Sequence, residues 1–139
     1  FNGGEFAQGG LGLEEVVQFA RELYALGYDY LHVSGGYNIY NQTPPADKPG
    51  YMVPFAAAVK EALPDAVVIT VGLIYEAQQA EEILQEGRAD LVAIGRGMLD
   101  DPNWPIHAAI ALGETPPWPK PYDRFGPLGW PTHQTQEAK

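Results

Sequence analysis

Ala66-Val67-Val68-Ile69-Thr70-Val71-Gly72 is the stretch on which the fold turns. Five successive β-branched residues, Val67 to Val71, leave no polar side. That is the pattern of a strand covered on both faces in a parallel sheet, whereas a strand with one face in water alternates. Pro64-Asp65 precedes it and Gly72 follows, so the strand Ala66 to Val71 is short and bounded by turns.

Working outward, the flanking segments read as helices. Upstream, Pro54 suits a first helical turn, and Phe55, Val59 and Ala62 or Leu63 recur on one side. Downstream, Glu76 to Glu86 places Ala77, Ala80, Ile83 and Leu84 on one side, with Gly87 as its stop. Glu76, Glu81, Glu82 and Glu86 form its solvated face. The same alternation extends in both directions. Leu13 to Leu26 is an amphipathic helix ended by Gly27, and Tyr28 to Val33 is a strand followed by Ser34-Gly35-Gly36. Ala89 to Ile94 is a third strand, Gly95 to Leu99 a short helix, and Trp104 to Leu112 another with Pro105 in its first turn. Tyr37 to Gly50, rich in Pro and Asn, is a long loop. Phe1 to Gly12 is Gly-rich and has no periodic apolar face.

Helices alternating with strands, without a hairpin signal, mean right-handed parallel βαβ units. Both a doubly wound sheet and a (β/α)8 barrel satisfy that rule. Three strands complete neither. A barrel runs to about 250 residues, so a chain of 139 residues would be its C-terminal portion, and the edge of the first strand would need a partner.

Composition narrows the function. Eight Lys+Arg against eighteen Asp+Glu give a net charge of -10, which disfavours nucleic acid and anionic membranes as partners. The absence of cysteine removes disulfides, thiolate metal sites and thiol nucleophiles, and the expected location is the reducing cytoplasm. No apolar run is long enough to span a membrane. No metal-ligand spacing, nucleophile and base pair, or paired catalytic carboxylates stand out. His32 shares a strand face with Tyr30 and reads as a packing histidine.

The chemistry lies at the strand ends. Gly72 and Gly95 each follow a strand, one βα unit apart, and Arg96 comes next. In barrels, the loops after the last two strands and the start of a short extra helix form a recurrent phosphate site. Glycine lets main-chain N–H groups approach the phosphate, and an arginine fork matches its oxygens. The alternative is that both glycines are ordinary turns and Arg96 pairs with Asp100 or Asp101. Ser34 occupies the equivalent position after the first strand. The C-terminal Tyr122-Asp123-Arg124-Phe125, with Trp130 beyond, surrounds an arginine with aromatics, either to dock on a neighbour or to pack on its own domain.

Several blocks in order resemble a known family. Gly87 to Arg96 (GRADLVAIGR), Asp101-Pro102-Asn103-Trp104-Pro105 and Ala80-Glu81-Glu82-Ile83-Leu84 are similar to the C-terminal part of old yellow enzymes, FMN-dependent ene-reductases on a (β/α)8 TIM barrel. Pro49-Gly50-Tyr51-Met52-Val53-Pro54-Phe55-Ala56 and Tyr122-Asp123-Arg124 resemble the thermophilic-like subgroup. The resemblance implies an α/β chain forming the last three βα units of the barrel over residues 1–113, and a Pro-rich tail over 114–139. It implies that Gly72, Gly95, Arg96 and, at a strand end, Ser34 bind FMN. Arg124 would be a finger inserted into a neighbouring subunit's active site, in a homo-oligomer.

The activity so implied is NAD(P)H:enone oxidoreduction. NADPH or NADH gives hydride to the flavin, which delivers it to the β-carbon of an enone, while a tyrosine protonates the α-carbon. That tyrosine, and the His pair or His and Asn that polarise the substrate carbonyl, belong to the barrel before Phe1. The chain alone is therefore expected to be inactive, with the N-terminal part of the barrel as its partner. The other reading is a non-catalytic or engineered half-barrel that assembles with itself and binds phosphate only. A third reading, a related flavin barrel acting on a dienoyl thioester or another xenobiotic, would need an iron–sulfur domain or a different tail, and the cysteine-free chain offers no cluster ligands.

Overall fold

A computed structural model describes residues 1–36, 38, 40, 42–45, 47–116 and 118–121. The elements run α1 (Leu13–Ala25), β1 (Tyr30–Val33), α2 (Val53–Ala62), β2 (Val67–Thr70), α3 (Ala77–Gln85), β3 (Leu91–Val92), α4 (Arg96–Asp100) and α5 (Trp104–Ala111). Residues 1–102 form one compact unit, and the described residues from Asn103 onward form another. In the second unit, α5 opens with Pro105 in its first turn and stops at Gly113.

In the first unit the strands are parallel and lie in the order β1-β2-β3. Tyr30 pairs with Val67 and Val33 with Thr70, while Ile69 pairs with Leu91. Each strand follows its predecessor on the same side, as right-handed crossovers winding in one sense require. The helices cover one face of the sheet. Val16 and Ala20 from α1 and Ala56 and Val59 from α2 pack with Leu31, Val33, Ala66 and Val68, and all eight are buried. Ala20 and Ala56 are fully buried, small side chains in a core shared by both helices. The opposite face is bare: Tyr30 is 60% exposed, Val67 41% and Leu91 52%.

This asymmetry is the one a barrel requires, because a barrel carries its helices only outside; one half of a doubly wound sheet, wound in a single sense, shows it too. In a closed barrel Tyr30, Val67 and Leu91 lie on the face that the interior fills. The two-sided cover expected of Ala66 to Val71 is met on the helix side alone, because the inner face needs strands from beyond these three.

Two expectations are corrected. Phe1–Gly4, taken as patternless, runs beside the C-terminal end of β1. Phe1 N–H donates to the His32 carbonyl at 2.7 Å, Ser34 N–H to Phe1 at 3.0 Å and Gly36 N–H to Gly4 at 2.9 Å. Asn2 and Ser34 form a parallel bridge. This segment partners part of the β1 edge, and it does so through main-chain groups that no side-chain periodicity reveals. His32 is the second: its ring is exposed and makes no hydrogen bond among the described residues. Partial desolvation pushes its pKa down.

At the N-terminal ends of the strands a polar latch ties three elements together. Lys60 Nζ lies 2.9 Å from Asp90 Oδ1 and also donates to the carbonyls of Pro64 and Ala66. Val68 N–H donates to Asp90 Oδ2 at 2.7 Å. Burial alone would raise the Asp90 pKa, but the Val68 N–H and Lys60 outweigh it and hold the carboxyl below its ordinary 3.8. A carboxylate whose folded value is depressed stabilises above its unfolded value and loses that contribution as pH falls through the folded one. Asp90→Asn is expected to cost about 1–2 kcal/mol at neutral pH, the low end for charge-assisted bonds because the carboxylate is partly screened by solvent. Thermal melts of variant and parent should converge below the folded value. A constant gap down to strong acid would contradict the latch.

Candidate functional site

A groove of about 490 Å³ opens at the C-terminal ends of the three strands. Ser34, Gly72, Gly95 and Arg96, picked out separately from the sequence, all line it. Tyr51, Met52 and Tyr75 complete much of the wall.

Ser34 directly follows β1. Its N–H is taken by Phe1 and its carbonyl by Gly3, and its hydroxyl points to Met52 Sδ at 3.7 Å, a weak acceptor. That hydroxyl is the one group of Ser34 left for a ligand.

Gly72 follows β2 after Val71, with φ +118°, a conformation that L side chains rarely adopt. Its carbonyl accepts from Gly50 N–H at 2.9 Å, and a Cβ would stand 2.9 Å from Met52 Cβ and Cγ. The glycine is required by the protein's own packing before any ligand is considered. Gly95 is different. A Cβ there would meet nothing within 4 Å. The space above it is open.

Gly95 is also the residue preceding α4, and its carbonyl accepts from the N–H groups of Met98 at 3.0 Å and Leu99 at 3.2 Å. This geometry leaves the first amides of α4 outside the helix ladder. Arg96 is exposed and, among the described residues, forms no ion pair with Asp100 or Asp101. The surface pairing weighed from the sequence is therefore not made. Open space over Gly95, unladdered amides and an uncommitted guanidinium suit a phosphate group, whose oxygens take several N–H donors at once. Among the described residues there is no group of three His, Asp or Glu that could hold a metal ion. Nor is any described helix long and apolar enough to cross a membrane. Arg124 and the rest of 122–139 lie outside the described residues.

Sequence reasoning missed Tyr51, Met52 and Tyr75 as groove residues. Tyr51 and Met52 fall between the loop that ends at Gly50 and the helix that Pro54 opens, and they reach the site because Gly50 bonds to Gly72.

One-sided helices on a parallel sheet, with a donor-rich groove at the strand C-termini, are what a segment of a (β/α)8 barrel presents. The NADH:flavin oxidoreductase / NADH oxidase family matches residues 5–113, and the chain belongs to that family. It is 43% identical over 120 residues to an NADPH dehydrogenase of Listeria welshimeri, covering 86% of this chain and 35% of that protein. It is 44% identical over 113 residues to an NADH oxidase of Thermoanaerobacter brockii, covering 78% of this chain and 17% of that one. An NADPH dehydrogenase of Halalkalibacterium halodurans is 40% identical over 122 residues, covering 86% of this chain and 35% of its own length. A solved 2-naphthoyl-CoA reductase, in complex with 2-naphthoyl-CoA, superposes with a TM-score of 0.65 at 24% identity. It covers 79% of this chain and 17% of its own, and the likeness concerns the fold. The chain thus spans about a third of the NADPH dehydrogenases it matches. The family's cofactors are FMN and, as electron donor, NAD(P)H.

Proposed function

We propose that this chain is the FMN-phosphate-binding C-terminal segment of a cytoplasmic NAD(P)H-dependent ene-reductase of the thermophilic-like old yellow enzyme type. The observation that carries the reading is the convergence of Ser34, Gly72, Gly95 and Arg96 on one groove at the strand C-termini. When bound, FMN relays hydride from NAD(P)H to an electron-poor double bond. Gly95 gives the phosphate room, main-chain amides donate to it, and Arg96 offsets its charge at short range despite a net charge of -10. Ser34 adds a hydroxyl from the neighbouring strand end.

The groups that polarise the enone and deliver the proton belong to the N-terminal part of the barrel, and the chain alone is inactive. The bare face is where that part docks: Val67 and Leu91, already half-buried, would each contribute roughly 0.5–1.5 kcal/mol on losing their remaining exposure. Residues 114–139 form the tail, and Arg124 reaches a neighbouring subunit's site in a homo-oligomer.

Supplying the complementary N-terminal segment should give a yellow protein that oxidises NADPH with cyclohexenone, while the chain by itself stays colourless and inactive. A folded but colourless complex would overturn the reading. The same bare face supports the second reading, a self-assembled half-barrel. In that case sedimentation would show a stable assembly of this chain that excludes the complementary segment.

A further inference from the structure

Leu73 has φ +51°, alone among the described non-glycine residues in lying on the positive side, and it follows Gly72 at +118°. Two successive residues of this kind turn the chain sharply out of the sheet, immediately beside the groove. For glycine the conformation is free, but for a residue with a Cβ it is costly. Something must hold Leu73 there.

One side chain does. Gln79, in the first turn of α3, donates from Nε2 to the Leu73 carbonyl at 3.1 Å, and its Oε1 accepts from Tyr75 N–H at 3.3 Å. A single amide therefore bridges both ends of the strained turn. A Cβ on Gly50 would stand 3.3 Å from the same Nε2, so the amide is wedged between this turn and the one that bonds Gly72. Gly50 N–H in turn donates to the Gly72 carbonyl at 2.9 Å. The orientation of the Gly72 peptide is thus set from two sides, by Gly50 directly and by Gln79 through Leu73.

We propose that Gln79 is a positioning residue for the phosphate groove: its amide locks the Gly72-Leu73 turn so that the main chain faces the ligand without reorganisation on binding. The inference rests on the functional reading above and extends it to a residue that does not line the groove. The chemistry is specific to a neutral amide of this length. Glutamate cannot donate to Leu73 and would add negative charge, and methionine can do neither job.

The test uses the barrel completed with its N-terminal segment and compares FMN with riboflavin, which lacks the phosphate. Dissociation constants come from flavin fluorescence, and the melting temperature of each flavin-free protein is recorded alongside. Gln79→Met is expected to weaken FMN about tenfold, the loss expected when a preorganising hydrogen bond pair is removed. Riboflavin affinity should stay within about twofold, because riboflavin carries no phosphate for the turn to meet. Adding Leu73→Gly to Gln79→Met should restore most of the FMN affinity, since glycine adopts the turn without the clamp. Unchanged FMN affinity in Gln79→Met overturns the proposal. Equal losses for both flavins also overturn it, since they would mark general damage to the fold. A parent barrel that binds no FMN would instead overturn the functional reading, and that shows before any variant is made.

Discussion

Arg96→Ala in the completed barrel weakens FMN by roughly ten- to a hundredfold and leaves riboflavin unchanged, the loss of about 1.5–3 kcal/mol expected for charge-assisted hydrogen bonds. With a net charge of -10 the chain's average field repels a phosphate dianion, so attraction has to come from groups in contact with it. Arg96 is the cationic residue lining the groove, which Asp100 lines as well, and among the described residues Arg96 forms no ion pair with it or with any other carboxylate. The effect should shrink in high salt, because an exposed guanidinium is screened. Arg96→Lys should fall between parent and alanine, since an ammonium keeps the charge and loses the planar fork. The measurement is flavin fluorescence against ionic strength. If Arg96→Ala binds FMN as tightly as the parent, Arg96 is a surface residue and the phosphate site lies elsewhere.

How far the sequence could be read depended on whether the signal was local. The helices and strands came through because apolar spacing, proline in first turns and glycine stops act within a few residues. Thus α2 begins at Val53 with Pro54 in its first turn, and Gly27 and Gly87 follow α1 and α3 with positive φ. The groove residues were legible for a related reason: in parallel βα units, whatever follows a strand lands on one side of the sheet. Knowing where strands end therefore gathers Ser34, Gly72 and Gly95 without any knowledge of their contacts.

What stayed hidden was non-local. Phe1–Gly4 pairs with β1 through main-chain groups, and Phe55 lies against it because Gly3 and Gly4 carry no side chain, which leaves no apolar pattern to find. The bareness of the Tyr30, Val67 and Leu91 face depends on strands other than these three, so a run of β-branched residues correctly signals burial in the barrel and overstates it for this chain. Gln79 looks like any polar helix residue until the φ of Leu73 is known.

Gly72→Ala should be the most damaging small substitution in the groove. Two costs coincide. An alanine at φ +118° sits where L residues are strained by about 1–3 kcal/mol, and its Cβ would press on Met52 at 2.9 Å, where overpacking adds roughly 1–3 kcal/mol. Met52 cannot simply move aside, being 6% exposed and placed between Gly72 and Ser34. The Gly72 peptide would then rotate, which strains the bond from Gly50 N–H and the turn at Leu73. Stability of the completed barrel should fall by about 2–5 kcal/mol, with FMN affinity lost more than riboflavin affinity. Met52→Ala in the same protein separates the two costs. Truncating Met52 frees space but leaves φ unchanged, so the double variant should be more stable than the sum of the two single losses predicts, and still less stable than Met52→Ala alone. Strict additivity would show that the Met52 contact is not what excludes a side chain at position 72. A Gly72→Ala protein that melts with the parent and binds FMN equally well would mean that this strand end is not held as the structure has it.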